Sequence, residues 1–312
     1  MQIRKTILII LTIVSGTRIA AQDSLLLALN DSLSANHKNE YVAGTFKALY
    51  IVNMKTIEAP AAGSLNFEIQ HRFGTVNSGA YNLFGLDFAT FRLGFDYGIS
   101  DRVSVGIGRS TNLKTFDGYI KYKLLRQTDN SGHMPVSVSL LGTSDYFTQH
   151  FDTQKEDSIL KNEYRFSYTA QILIARKFNS QFSMELTPTF IHYNMVDSNN
   201  DKNNVFALCA GARMKITKRM AITAEYDYLF PNQLNSQLNQ EGPPRTNSFS
   251  LGWDIETGGH VFQLVFTNSE SMVESQYIGQ TSGTWGKGYI YFGFNISRNF
   301  NLKPHDKPKT AG

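Results

Sequence analysis

Cysteine is almost missing from this chain: Cys209 stands alone among 312 residues. It cannot close an intrachain disulfide, so a disulfide-stapled secreted scaffold is excluded. It is also far from any position where lipid attachment would need it. No neighbour in sequence supplies the basic setting that activates a thiol, so a small buried side chain is expected. Long apolar runs are missing too. Beyond the first 21 residues none approaches the about 20 apolar residues that a membrane-spanning helix requires. Charge of one sign is scarce as well. The formal balance is +4, from 30 basic and 26 acidic residues.

The first residues change that balance. Arg4 and Lys5 precede an apolar stretch from Ile7 to Val14, and Ile19-Ala20-Ala21 then offers small residues before Gln22. A charged start, a short greasy middle and a small-residue exit predict a secretory signal peptide over residues 1–21. Its removal takes away Arg4, Lys5 and Arg18 with no acid before Asp23, which brings +4 to +1. A nearly neutral mature chain gives no electrostatic footprint for nucleic acid.

What the sequence does have is alternation. In "SLNFEIQHRFG", Leu65, Phe67, Ile69 and Phe73 share one parity, and Asn66, Glu68, Gln70 and Arg72 share the other. From Asp87 to Ile99, Phe91, Leu93, Phe95 and Tyr97 oppose Thr90, Arg92, Gly94 and Asp96. The same period of two returns to the end of the chain and predicts about twelve antiparallel strands over residues 63–300. Tight connections at Ser100-Asp101, Asn179-Ser180, Lys218-Arg219 and Gly258-Gly259 alternate with long polar ones at 74–86, 148–161, 195–203, 231–245 and 270–285. Short turns on one rim and long loops on the other predict a transmembrane barrel with its turns toward the periplasm. Thr45–Val52 offers a thirteenth strand, but an even number closes more naturally with both mature termini in the periplasm. Residues 22–62 are therefore read as a periplasmic tether leading to a barrel-mouth or plug segment, and 301–312 as a polar tail.

Alternation alone does not choose between a soluble sandwich and a membrane barrel. Length favours the barrel: the alternating segments run about 11 to 16 residues, enough to cross a bilayer at a slant. Charge placement favours it further. On the apolar parity, ionisable residues such as His71, Arg109, Arg126, Arg176 and His192 stand near segment ends, where they can reach headgroups. On the other parity they stand in mid-segment. Glu68, Arg72, Arg92, Asp96, Asp117, Lys121, Lys123, Arg165, Glu185, Arg213, Glu225 and Asp227 are accordingly the candidate lumen-lining residues. Mixed signs predict cross-strand ion pairs that narrow or shut the bore, rather than a single-sign selectivity ring. The fold class is all-β, a closed antiparallel transmembrane barrel in a bacterial outer membrane.

The stretches "FEIQHRFG", "LFGLDFATFRLGFDYGISDR", "GIGRS" and "KTFDGYIKYKLLRQ" resemble a family of outer-membrane β-barrels of unknown function from the Bacteroidota. The resemblance spans roughly residues 45–300 and is densest over 67–127. It implies the same location and fold class, and no functional residue carries over from it. The tail from Asn301 to Gly312 extends past Phe300, the kind of aromatic at which many barrels end and which the barrel-assembly machinery reads.

Two other motifs are weaker. "DSNNDKNN" sets Asp197, Asn199, Asp201 and Asn203 at alternate positions of a calcium loop, but Lys202 and Leu208 replace its glycine and bidentate glutamate, so a hydrated loop is expected. His71 and His192 have outward parity, as a lipid-facing hydrolase would need, yet neither has a serine two residues on. No cofactor or metal is expected, and catalysis is not. The expected function is a narrow channel or passive transporter for small polar solutes. The alternatives are a non-conducting anchor that binds a periplasmic or outer-membrane protein partner and, more remotely, the hydrolase. Outer-membrane lipid is a partner under every reading.

Overall fold

Backbone N–H and C=O groups in hydrocarbon have no water to turn to, so strands survive there only if every edge is paired. In the computed structural model, which describes residues 41–129, 134–150, 161–234, 244–257 and 260–302, the alternating segments meet that demand by closing on themselves. The strands are β1 (Ser64–Thr75), β2 (Ala89–Gly98), β3 (Val103–Ser110), β4 (Thr115–Leu125), β5 (Ser137–Phe147) and β6 (Phe166–Lys177). They continue as β7 (Phe182–Tyr193), β8 (Asn204–Lys215), β9 (Met220–Leu229), β10 (Ser248–Thr257), β11 (His260–Thr267) and β12 (Tyr291–Asn301). Each pairs antiparallel with its neighbour in sequence, and β12 pairs with β1 to complete the ring. Following the register once around the ring returns about 14 residues along β1, a stagger that tilts twelve strands by about 40°.

Burial along the strands is inverted relative to a water-soluble protein. In β2, Phe91, Leu93, Phe95 and Tyr97 are exposed, whereas Thr90, Arg92 and Asp96 between them are buried. The same holds on β4, where Phe116, Ile120 and Tyr122 face out and Asp117 and Lys121 face in. An apolar belt around the whole wall, with charge inside it, suits hydrocarbon on the outside. The strands run 8 to 12 residues, shorter than the alternation suggested, because the period of two continues past the last paired residue into the loops. Pro188, in the middle of β7, has no N–H to give, and there the β6–β7 ladder is interrupted between Gln171↔Thr189 and Ile174↔Leu186.

Thr45–Val52 is not a thirteenth strand. Tyr50 and Lys55 form one isolated antiparallel bridge, Ile51 N–H donates to Met54 C=O and Thr56 N–H to Leu49 C=O, so residues 45–58 make a small hairpin. The 268–290 connection also departs from the expected hydrated loop: it carries a short helix, α1 (Glu274–Gly279), whose every residue is buried. The chain divides into two compact units, residues 42–127 with 134–312 and residues 1–41 with 128–133. The second is described at Tyr41, Thr128 and Asp129, the first two of which form an antiparallel bridge. The expected signal peptide, the tether over 22–40 and the tail beyond Leu302 lie outside the described residues.

The inverted wall sets a test. Phe95→Arg, in the middle of β2, should cost about 2–4 kcal/mol of folding stability in lipid vesicles, read from urea unfolding. A variant as stable as the parent would mean that this face does not meet lipid.

Candidate functional site

The bore is where this barrel differs from a plain tube. The N-terminal hairpin comes in from the short-turn rim, where Gly63 N–H donates to Gly98 C=O. A side chain on Gly98 has no room there, since a Cβ would stand 2.2 Å from the Ala61 carbonyl oxygen. The hairpin tip, Ile51-Val52-Asn53-Met54, then lies deep inside with all four residues at most 1% exposed. Its turn aims three successive backbone N–H groups, those of Val52, Asn53 and Met54, at the Glu225 carboxylate of β9, each at 3.0 Å. Convergent N–H groups of this kind form an anion cradle, and here the anion is the barrel's own glutamate.

The remaining wall contacts follow the same logic. Gln263 Nε2 donates to the Ile51 carbonyl at 2.9 Å and Asn295 Nδ2 to that of Val52 at 2.8 Å. Arg72 Nη2 donates to Asn53 Oδ1 at 2.8 Å, and Arg92 Nη1 to the Tyr50 hydroxyl at 3.3 Å. Lys121 Nζ reaches the carbonyls of Thr56 and Glu58, and Glu185 accepts the Ile57 N–H at 2.7 Å. Backbone groups that would be orphaned inside a barrel are thereby satisfied by the wall.

Two arginines hold the wall itself by reaching across a strand. Arg92 on β2 grips Asp117 on β4 through Nε at 2.8 Å and Nη2 at 2.5 Å. The strand between them leaves space at Gly108, where a Cβ would stand 2.4 Å from the guanidinium. Arg213 on β8 likewise passes β9 to bond Asp254 at 3.0 Å and Glu256 on β10.

From the long-loop rim, α1 descends to meet the hairpin. Tyr277 and Ile278 are fully buried and join Ile51, Met54, Leu173, Ile191, Val205 and Cys209 in one apolar cluster. Each such side chain contributes about 1.5–3 kcal/mol by leaving water, which holds the loop inside rather than above the barrel. Tyr193 donates to the Ser275 carbonyl at 2.5 Å, and Arg245 to that of Gly279 at the helix C-terminus. Burial pushes the Tyr50 and Tyr277 hydroxyls well above the ordinary tyrosine range, so both stay neutral. The two inserted elements join at one ion pair, Lys55 with Glu274, buried on both sides. Lys55 also lies over the rings of Tyr50 and Tyr119, at 5.2 and 4.9 Å from their centroids.

The twelve candidate lumen residues all point inward, but they do not line an open lumen. Ten are buried and Lys123 and Arg213 are half-buried, because the hairpin, α1 and neighbouring wall residues occupy the space they face. Asp96 accepts bonds from Tyr119 and Asn66, and Asn66 also reaches Glu68. Arg165 donates to the Gln149 carbonyl near the long-loop rim, and Asp227 stands beside the apolar cluster, fully buried. The expected cross-strand ion pairs form around Arg92 and Arg213, whereas Arg72, Lys121, Glu185 and Glu225 bond the hairpin. The sequence reading missed Tyr50, Lys55, Gln263, Asn295 and Glu274, and the apolar inner sector. A signal for that sector exists: around Leu173, Ile191 and Val205 both parities turn apolar. Cys209 is buried, as expected of a small core residue.

The calcium-like loop is used otherwise, since Asp197 pairs with Arg245. No cluster able to hold a metal ion occurs among the described residues. His192 shares a 2.7 Å hydrogen bond with Asn204, and His71 stacks on Phe294 with centroids 5.0 Å apart.

A family described as membrane bound beta barrel domain (DUF5777) matches residues 46–300, a span that takes in the hairpin as well as the barrel. No curated protein matches the sequence. Among solved structures, the chain is similar to the NanC porin, at 7% identity over 76% of this chain and 100% of that one, with a TM-score of 0.45. It is similar to the KdgM porin, at 8% identity over 76% and 99%, with a TM-score of 0.43. It is also similar to LpxR from Salmonella typhimurium, at 10% identity over 76% and 99%, with a TM-score of 0.35. Likeness at this level says nothing about activity.

The Lys55–Glu274 pair yields a sharp expectation. Lys55→Met alone leaves a buried carboxylate unpaired and should lose about 3–5 kcal/mol, and adding Glu274→Leu should recover most of it. Chemical unfolding of both variants in the same detergent checks this, and a double variant no better than the single one would disprove the pairing.

Proposed function

The chain belongs to the membrane bound beta barrel domain family, and from that premise we propose that it is a gated passive channel for small polar solutes, closed at rest by its own hairpin. The observation that carries this reading is the kind of contact between plug and wall. Glu225, Glu185, Lys121, Arg72, Gln263 and Asn295 meet the hairpin largely through its backbone, and each of these groups is equally able to meet water. A wall built for permanent filling would use apolar side chains, as the sector around Leu173 and Ile191 does. Withdrawal of the hairpin frees the polar side of a twelve-strand ring, the side that α1 and the apolar sector do not fill, in a bore between the filled interior of eight strands and the aqueous channel of 16 to 18.

In this proposal the barrel stands in a bacterial outer membrane, inserted by the barrel-assembly machinery, with its long loops outside. Both mature termini are in the periplasm, in keeping with the contact of Leu302 N–H with the Gly63 carbonyl at the short-turn rim. The protein is not an enzyme in this reading. The outward histidines give this reading no competitor, because among the hydrogen bonds of the described residues neither His192, which bonds Asn204, nor His71, which stacks on Phe294, meets a serine hydroxyl. The filled bore also favours a second reading, a non-conducting anchor whose N-terminal segment holds a protein partner.

Planar-bilayer recording separates the two. The full chain should show rare openings, and deletion of residues 45–58 should give sustained current. In that deletion background Lys121→Glu should move the reversal potential toward cation preference. A correctly inserted deletion variant that passes no current in any salt would remove the channel reading in favour of the anchor.

A further inference from the structure

Above α1, on the long-loop side, the bore opens into a vestibule of about 480 Å³, within the range of small-molecule sites. None of its described lining residues is basic. Three are acidic. Asp197 is already matched by Arg245. Glu270 stands exposed, accepting one bond from Thr90 at 2.6 Å. Asp145 is 3% exposed, and while its Oδ2 accepts the Ser275 hydroxyl at 2.9 Å, its Oδ1 has no partner among the described residues. A buried carboxylate oxygen without a partner is costly unless something comes to it. That oxygen is itself shielded from solvent, and the residue that carries it lines an accessible cavity. Phe147, Tyr164 and Tyr291 line the same cavity. Arg165 lies over the Phe147 ring at 5.3 Å and Lys161 over that of Tyr164 at 6.0 Å, which leaves Tyr291 as the ring without a cation of the protein over it among the described residues.

We propose that this vestibule binds a small organic cation, an alkylammonium, with Asp145 as its buried counter-ion and Glu270 as a second, exposed acceptor. Ammonium N–H groups supply the donors that Asp145 Oδ1 lacks, and the alkyl part lies against the aromatic rings. A hydroxyl-rich neutral solute fits less well, because it would leave the charge of the exposed Glu270 unmatched and bring no positive charge to Asp145. The inference deepens the transport reading by naming a solute class. It concerns equilibrium binding, so it stands or falls separately from conductance.

The test is calorimetric titration of the full chain in detergent with butane-1,4-diamine, and with butane-1,4-diol as an uncharged analogue of the same length. The diamine should bind, and the diol should bind at least about tenfold more weakly, as expected where a charged group is left unpaired. Asp145→Asn should weaken diamine binding by a similar factor. Glu270→Gln, at an exposed position where misfolding is not a concern, should weaken it severalfold. Absence of diamine binding, equal binding of the diol, or diamine affinity unchanged in the Glu270→Gln chain would each overturn the proposal. Loss of binding with conductance of the plug-deleted chain intact would reject the site while leaving the channel standing.

Discussion

Hydrocarbon supplies no hydrogen bonds, and that single constraint organises this molecule from the outside in. It forces the strands into a ring without edges, turns their apolar parity outward and leaves the polar parity in a confined interior. Charges placed there cannot reach bulk water as freely as surface charges do. Most of them are matched by protein, and matching them occupies much of the interior of this barrel.

The solution has two parts. Where two wall residues can meet, they do so across a strand, as Arg92 with Asp117 and Arg213 with Asp254. A glycine in the intervening strand makes the first reach feasible. Where they cannot, the chain brings its own backbone to them. The hairpin tip offers N–H groups to Glu225 and carbonyls to Gln263 and Asn295, and the returning arm offers the Ile57 N–H to Glu185 and the Thr56 carbonyl to Lys121. The hairpin is thus complementary to the wall in polarity on one side and in apolar surface on the other, where Ile51 and Met54 meet Leu173 and Ile191. α1 completes the apolar side from the opposite rim, and Lys55 with Glu274 ties the two insertions together. The bore is consequently closed by contacts of two kinds, one exchangeable with water and the other not.

Much of this was legible in advance, for a definite reason. Strand number, face assignment and the alternation of short and long connections depend on a period of two that each segment carries locally, so residues such as Phe95 and Arg92 declare their sides without knowledge of the rest. The inward set was readable on the same ground. Its partners were not, because Glu225 and Asn53 are remote in sequence and no local period links them. The 270–285 connection was misread because Ser, Gln and Glu dominate its composition. Met272, Val273, Tyr277 and Ile278 are apolar enough to sink a short helix once an apolar recess is there to receive it.

The sequence by itself determined that the chain builds a closed antiparallel barrel with lipid outside and charge within, since alternation and charge placement are properties of neighbouring residues. Only the tertiary structure decided that the charged interior is filled, which elements fill it, and that a vestibule with a waiting carboxylate remains above them. Those outcomes depend on which distant groups share one enclosed volume, and ring closure alone sets that volume.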